Sequence, residues 1–372
     1  MAQPPNIPAV NFAALLAETE PAWRARLDEF FGRMQFILGP QLLAFEKEWA
    51  EYRRARFAVG VANGTQAIEL SLRDAGVSSP QQEVLTTALT APFSGIGIVS
   101  AGCRIRFADI DPETLLLDPV DAAHRATHRT AAVMPVHLYG QPCNLAAFAA
   151  LARRAGAVLL QDACQAHGAM HQGKPLAAYG PYVAYSFYPT KNLGGLGDGG
   201  AIVTNSRAVD RRLRQARDGG RRPGGQVSYS KGINSRLDEL QCCYLRAFLP
   251  KLEEWNADRR RLATLYDDAL AGCEPVRPVR TSAESVRHLY VIRVPKLRDK
   301  LRAHLTAQGI STGIHYPAPL HLMPAFREGG LRRGDLPHAE RACRELVSLP
   351  LWPRMPDWMA LKTAETIRQF FH

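Results

Sequence analysis

Residues 183–204 read VAYSFYPTKNLGGLGDGGAIVT, and this stretch is the most informative part of the chain. Two short apolar runs, Val183–Phe187 and Ala201–Thr204, enclose a lysine and a glycine-rich loop. Short apolar runs bounded by Gly and Pro predict buried β-strands. The lysine, Lys191, is one of only eight in the chain. It is either a solvated turn residue or a partly desolvated amine that can attack a carbonyl group.

Apolar runs of the same kind begin at about residue 57, and they alternate with helical periods up to this stretch. The alternation predicts an α/β fold, a mostly parallel sheet of seven strands with helices on both faces. The predicted strands are Phe57–Val61, Glu83–Thr87, Arg104–Ile110, Ala131–Leu138, Ala157–Gln161, Val183–Phe187 and Ala201–Thr204. The helices predicted between them include Thr65–Ala75, Pro92–Ala101 and Leu145–Ala155.

The character of the sequence changes after Leu249, where an Arg- and Glu-rich helical stretch leads into a Pro-rich break. We therefore predict a large domain over residues 1–249, with a helical lead-in over residues 1–55, and a smaller α+β domain over residues 250–372. The elements predicted for the smaller domain are a helix at Lys251–Leu270, a strand at His288–Val294, a helix at Leu297–Gln308, a strand near Gly313–Tyr316, a helix at Pro337–Val347 and a terminal helix.

The composition excludes several classes of protein. A chain of 372 residues with 46% hydrophobic and 22% charged residues is globular rather than disordered. Its net charge of +11 comes from scattered arginines without interleaved aromatic residues, so we expect an anionic substrate and no nucleic-acid partner. The seven cysteines have no zinc-ligand or redox spacing, which predicts a cytoplasmic protein without a metal site. No stretch approaches the ~20 apolar residues of a membrane span, so no membrane association is expected.

Two further points at predicted strand ends carry candidate binding residues, because ligands of parallel α/β sheets lie at the carboxyl ends of the strands. Asn63-Gly64-Thr65 follows the first strand and opens a helix. This tripeptide is more typical of an ordinary helix N-cap than of a site where free N–H groups meet a phosphate. Asp162 follows a later strand, either as a helix cap or as a carboxylate that faces the protonated pyridine nitrogen of a cofactor.

The sequences of these motifs and their order along the chain resemble those of the sugar aminotransferases, the pyridoxal phosphate enzymes that supply amino sugars and aminocyclitols. The resemblance covers nearly the whole chain and is most specific in QDACQAHG, residues 161–168, and SFYPTKNLGGLGDGG, residues 186–200. Other matching strings are Phe36–Pro40, Phe45-Glu46, His137–Pro142, Asn234–Gln241 and His315–Pro317. The resemblance implies an aspartate-aminotransferase-like fold and a pyridoxal 5'-phosphate cofactor, which is pyridoxamine phosphate in one half-reaction.

The resemblance also implies roles for single residues in binding the cofactor. Lys191 is expected to form the Schiff base, Asp162 to pair with the pyridine nitrogen, and Gln165 to contact the phenolic oxygen of the ring. The residues expected at the phosphate are Asn63, Gly64, Thr65 and Ser186, together with Asn234, which is expected to reach the phosphate of the neighbouring subunit.

Substrate contacts and ring stacking are less directly implied. Many relatives carry an aromatic ring directly after the residue that matches Thr90, where this chain has Ala91. Phe93 is therefore expected either to stack on the cofactor from a shifted position or to be a core residue. Candidate substrate-binding residues are His167, Arg221, Arg222, His315 and Tyr316. The alternative for the two histidines is a structural role, and for the two arginines a solvated loop.

The reaction implied by the resemblance moves an amino group from an amino acid, expected to be L-glutamate, to a nucleotide-linked keto-6-deoxysugar at its 3-position. A homodimer with both active sites at the interface is also implied. One alternative is an aminocyclitol aminotransferase acting on an inosose, and another is a non-catalytic regulator of the same fold. A branch of the family that performs dehydration has His in place of the lysine, so Lys191 argues against dehydration.

Overall fold

The computed structural model describes residues 6–222 and 224–371, so the first five residues of the predicted lead-in lie outside the described part. The helices in this part are α1 (Ala13–Arg33), α2 (Pro40–Tyr52), α3 (Gly64–Asp74), α4 (Pro92–Ser100), α5 (Pro119–Arg125), α6 (Leu145–Ala155), α7 (Arg207–Ala216), α8 (Glu239–Phe248), α9 (Leu252–Ala269), α10 (Arg298–Ala307), α11 (Pro337–Glu345) and α12 (Asp357–Phe371). The strands are β1 (Phe57–Val61), β2 (Glu83–Thr87), β3 (Arg104–Ala108), β4 (Thr130–Met134), β5 (Val158–Asp162), β6 (Met170–His171), β7 (Lys174–Pro175), β8 (Tyr182–Ser186), β9 (Gly200–Thr204), β10 (Arg277–Pro278), β11 (Tyr290–Arg293) and β12 (Leu346–Leu349).

Seven of these strands form one large sheet in the order β1-β9-β8-β5-β4-β2-β3. The pairs from β8 to β3 are parallel, whereas β9 runs antiparallel to both β1 and β8. Helices cover both faces of the sheet, because the strands between its edges carry apolar side chains on both faces and each face must be shielded from water. The predicted α/β fold and its seven-stranded, mostly parallel sheet are confirmed.

Two of the predicted strands end earlier than expected. The fourth ends at Met134 rather than Leu138, because Pro135 cannot donate a ladder hydrogen bond and the chain then turns at Leu138–Gly140. The third ends at Ala108, and Ile110 forms only an isolated bridge with Leu117. After both strands the chain continues as a loop at the carboxyl edge of the sheet.

A second, three-stranded antiparallel sheet has the order β10-β11-β12 and packs with α9, α10 and α12. The predicted strand near Gly313–Tyr316 is wrong: only Gly313 pairs, through an isolated bridge with Ser348, because Pro317 and Pro319 follow immediately. The predicted helix over Pro337–Val347 is also too long. It ends at Glu345, where the apolar run Leu346–Leu349 instead pairs with β11.

The boundary predicted at residue 249 stays a prediction. Helix α9 contributes Trp255 to the core beside the large sheet and Tyr266 to the core beside the small sheet, so it belongs to both. Ile7 also lies in the second core, where it pairs with Ile310. No helix among the described residues is long and apolar enough to cross a membrane.

Candidate active site

Three segments meet at the carboxyl edge of the large sheet. They are the N-terminus of α3 after β1, the turn after β5, and the end of β8. Gly64 shows how closely they approach, since a Cβ atom there would lie 2.7 Å from Cys164 Sγ and 2.8 Å from Ser186 Cβ. Any larger residue at position 64 would push these segments apart. The edge therefore brings Gly64, Ser186 and the turn after Asp162 into one site.

The N-terminus of α3 offers unused hydrogen-bond donors. Asn63 is the N-cap of this helix. Its Oδ1 accepts from Gln66 N at 2.9 Å, and its carbonyl accepts from Ala67 N at 3.0 Å. The N–H groups of Gly64 and Thr65 remain, because the first donors of a helix have no partner within it. With the positive end of the helix dipole, these groups form a place for an anion.

Asp162 is the last residue of β5 and is buried, with 4% of its surface exposed. Its Oδ2 accepts from Ser94 Oγ at 2.6 Å, and its Oδ1 accepts from Cys164 N at 3.1 Å. Ser94 lies in the first turn of α4 and also contacts Thr90 Oγ1 at 2.9 Å. These two donors hold both oxygens of the carboxylate in place. The site therefore contains a buried acceptor of fixed orientation.

Lys191 is half-buried in the loop that follows β8. Burial lowers the pKa of its amine below the ordinary value, against the opposing effects of Cys164 and Asp162. The loop turns so tightly that a Cβ atom on Gly194 would lie 2.2 Å from Pro189 O, so this position requires glycine. The result is an amine that loses its proton more readily than a surface lysine.

Gln165 lies between two tyrosines at the same edge. Its Oε1 accepts from Tyr139 N at 2.7 Å, and its Nε2 donates to Tyr316 Oη at 2.9 Å. Tyr139 Oη in turn donates to His315 O, and His315 Nδ1 lies 2.8 Å from Ser348 Oγ. Burial lowers the pKa of His315 to about 4, so its imidazole is neutral at pH 7. The predicted residues Gln165, His315 and Tyr316 are thus brought together.

Comparisons with known proteins agree with this geometry. The model of the DegT/DnrJ/EryC1/StrS aminotransferase family matches residues 19–368. The chain belongs to this family. Its fold is that of pyridoxal-phosphate-dependent aminotransferases, as the sequence motifs predict.

Individual relatives of this aminotransferase match over nearly their full lengths. A pleiotropic regulatory protein of Geobacillus stearothermophilus is 40% identical over 370 residues, 98% of this chain and 99% of the relative. A dTDP-3-amino-3,4,6-trideoxy-alpha-D-glucose transaminase of Streptomyces venezuelae is 39% identical over 378 residues, 99% of this chain and 97% of the relative. The crystal structure of S. venezuelae DesV in complex with a ketimine intermediate superposes with a TM-score of 0.95 at 37% identity, covering 99% of both chains.

Two other predicted site residues of the aminotransferase, His167 and Phe93, differ in how far they are exposed. His167 is fully buried among Trp49, Tyr185 and Phe187, and its Nε2 lies 2.8 Å from Ser186 O. A side chain enclosed in this way has no surface for a substrate, so the structure favours its structural alternative. Phe93 lies at the start of α4, next to Ser94, with 62% of its surface exposed, which excludes the core-residue alternative.

The arginines predicted to bind substrate lie in the loop between α7 and α8. Arg221 Nη2 donates to Asp218 Oδ1 at 2.6 Å, and Arg236 donates to the same oxygen at 2.8 Å. Arg222 is exposed, and its guanidinium lies 4.1 Å from the centroid of the Tyr229 ring. Asn234 is also exposed. Arg222 is therefore more available to a ligand than Arg221, whose charge is already paired.

The matching string Asn234–Gln241 has a physical role that the sequence alone does not reveal. Ser235 Oγ accepts from Ala62 N at 3.1 Å and so supports the turn before α3. Glu239 accepts from backbone N–H groups of the first turn of α2, and Gln241 Oε1 accepts from Leu196 N at 2.8 Å in the lysine loop. One short segment thus holds three others around the site. Among the described residues, no group of three or more His, Cys, Asp or Glu side chains could hold a metal ion.

Proposed function

We propose that this protein moves an amino group from L-glutamate to a nucleotide-linked keto-6-deoxysugar, at the 3-position, with pyridoxal phosphate as cofactor. The observation that carries the proposal is the convergence at one sheet edge of a buried carboxylate, an amine with a lowered pKa and free helix N-terminal donors. Membership of the aminotransferase family supports it.

The residues at this edge fit pyridoxal phosphate. The unused N–H groups of Gly64 and Thr65 would meet its phosphate with Ser186, and Asp162 would hold a proton at the pyridine nitrogen. Bound cofactor supplies an electron-poor ring that accepts the electron pair left when the amino acid Cα loses its proton. Gln165 keeps one amide N–H beyond the bond to Tyr316, which it can donate to the phenolic oxygen.

Lys191 is the residue that would move protons. Its lowered pKa leaves a larger neutral fraction at pH 7, so Nζ can accept a proton from the substrate Cα and return it. The two groups beside it are weaker candidates for the base. Burial lowers the pKa of His315, which makes it a weak base, and burial raises the pKa of Tyr316, which keeps its hydroxyl protonated. This division of roles favours catalysis over the regulatory alternative, although one relative is named as a regulatory protein.

The nature of the acceptor rests on different support. A relative at 39% identity is named as a transaminase of a dTDP-linked 3-amino sugar, which favours a nucleotide-linked acceptor. Arg222 is exposed in the loop between α7 and α8, and guanidinium groups suit a pyrophosphate. An inosose has no pyrophosphate, so the aminocyclitol alternative leaves this loop without a ligand.

We also propose a homodimer with both active sites at the interface. Large apolar side chains are exposed on segments that the Asn234–Gln241 string ties together, namely Phe36, Leu43, Leu196 and Leu240. Exposed apolar clusters of this kind mark interfaces. A second copy would cover them and bring Asn234 toward the neighbouring cofactor. Leu240→Asp is expected to give monomers in sedimentation, with Lys47→Asp, an exposed control, unchanged.

The function is tested by separating the two half-reactions. The purified protein is loaded with pyridoxal phosphate, and its absorption spectrum is followed after addition of L-glutamate alone. The converted protein is then offered nucleotide-linked 3-keto sugars, other keto positions and an inosose. Return of the original spectrum with only the 3-keto sugar supports the proposal, and return with only the inosose supports the aminocyclitol alternative. No spectral change with any amino donor overturns both.

A further inference from the structure

The residue after the lysine, Asn192, is held from three directions inside the protein. Its Nδ2 donates to Asn256 Oδ1 at 2.8 Å and to Val286 O at 2.9 Å, and its Oδ1 lies 2.9 Å from His288 Nδ1. Only 4% of its surface is exposed. Every hydrogen of this amide is used, so the chain next to Lys191 has one fixed orientation.

The partners of Asn192 are equally buried and are themselves fixed. Asn256 has no exposed surface, and its Nδ2 donates to His167 O at 2.8 Å. Burial holds the pKa of His288 well below its ordinary value, so its imidazole is neutral. Because the Asn192 oxygen only accepts, the Nδ1 atom of His288 carries the hydrogen. Asn192 is therefore oriented by one donor and two acceptors.

The segment that supplies two of these contacts, residues 286–288, is anchored on both sides. Arg259 Nη1 donates to His288 O at 3.2 Å and to Leu351 O at 3.0 Å. On the other side, Val286 N donates to Gly140 O at 3.0 Å and His288 N donates to Tyr139 O at 2.9 Å. Tyr139 N is the group that holds Gln165. The same segment thus joins the lysine loop, the glutamine and the C-terminal part of the chain.

We propose that residues 286–288 are a positioning segment for Lys191 and that His288, acting through Asn192, is a positioning residue of the reaction. This inference rests on the proposed binding of pyridoxal phosphate. Nothing in the segment needs to touch the cofactor: the His288 hydrogen bond fixes the Asn192 side chain, and this fixes the backbone from which Lys191 extends. Loss of the bond lets the amine leave its productive orientation without changing the phosphate site.

The test compares two cofactors in the full-length protein stripped of bound cofactor. Only pyridoxal phosphate can bond covalently to Lys191, whereas pyridoxamine phosphate reports the non-covalent pocket alone. We expect His288→Ala to weaken pyridoxal phosphate binding about tenfold and to leave pyridoxamine phosphate binding nearly unchanged. Borohydride trapping of the cofactor on Lys191, followed by peptide mass analysis, should fall in parallel.

A matched variant separates positioning from packing. His288→Asn is also smaller than histidine but keeps an amide donor near the place of Nδ1, so it should restore the ratio of the two affinities. If His288→Ala weakens both cofactors equally, or if His288→Asn does not restore the ratio, the segment is merely structural and the inference is wrong. If the unmodified protein binds neither cofactor, the proposed function fails instead, and the two failures are distinct.

Discussion

Ser94 Oγ donates a 2.6 Å hydrogen bond to Asp162 Oδ2, although the two residues lie 68 positions apart on different elements. The bond joins the first turn of α4 to the end of β5, and it is buried. Together with the N–H of Cys164, it fixes both oxygens of the carboxylate. The orientation of the Asp162 carboxylate therefore depends on a neighbour that carries no charge.

Ser94→Ala should lower the turnover number about tenfold or more. A hydrogen bond to a charged group contributes ~1.5–3 kcal/mol, and its loss frees the carboxylate to turn away from the ring nitrogen. Steady-state kinetics measure the turnover number of the variant against that of the unmodified protein. Ser71→Ala is a matched control, since its hydroxyl is buried and bonded within α3, away from the site. An unchanged turnover number in Ser94→Ala would contradict the assignment.

The sequence predicted Lys191 and Asp162 correctly as residues at strand ends, because apolar runs locate the sheet and its carboxyl edge follows from them. It did not predict Ser94 or Asn192. Their partners lie 68 and 96 positions away, and no local pattern encodes such contacts. The nearest sequence signal to Ser94 is the end of β2, seven residues before it, and that spacing does not predict its bond to Asp162.

The errors in the fold have a similar origin. The strands between the edges of the large sheet are buried on both faces, so their runs are largely apolar and easy to recognise, whereas the edge strand β3 has Arg104 exposed. The helix predicted over Pro337–Val347 takes in the first half of the strand Leu346–Leu349, because a short apolar run fits either structure. Its pairing with β11 settles the choice, and that is a tertiary contact.

Lys191→Ala should abolish amino transfer while the protein stays folded. The side chain is only half-buried and its position is in a loop, so its removal leaves the sheet intact. Circular dichroism and an assay of both half-reactions check this, with Lys174→Ala, an exposed lysine, as control. Transfer at the original rate in Lys191→Ala would remove the central assignment.

Glu239→Gln should destabilise the protein by ~1–3 kcal/mol. The buried carboxylate accepts from Gly39 N, Gln41 N and Leu42 N at 2.8–2.9 Å, and an amide has only one oxygen to replace two. The first turn of α2 would then keep unsatisfied buried donors. Urea unfolding measures the loss, with the exposed Glu51→Gln as control. Equal midpoints for both variants would show that the contact contributes nothing.

The free energy of unfolding should fall as the pH drops below about 6.5. Burial lowers the pKa of His137 to about 4 and that of His167 to about 3, so both stay neutral in the folded protein. The unfolded chain takes up protons first, and each group then costs up to ~1.4 kcal/mol per pH unit. Urea unfolding at pH 7.5, 6.5 and 5.5 should show the decline. His167→Asn should reduce its slope, whereas exposed His128→Asn should not, and a flat profile would exclude buried neutral histidines.

Arg222→Ala should raise the KM for a nucleotide-linked acceptor about tenfold and leave the glutamate half-reaction unchanged. A charge-assisted contact to phosphate contributes ~1.5–3 kcal/mol, and glutamate carries no pyrophosphate. Arg221→Ala is a less specific test, because it also breaks the ion pair with Asp218, which orders the loop. Arg222→Lys keeps the charge but loses the planar fork, so it should give an intermediate KM. If Arg222→Ala has the same kinetics as the unmodified protein in both half-reactions, the prediction is wrong and an acceptor without a pyrophosphate is favoured.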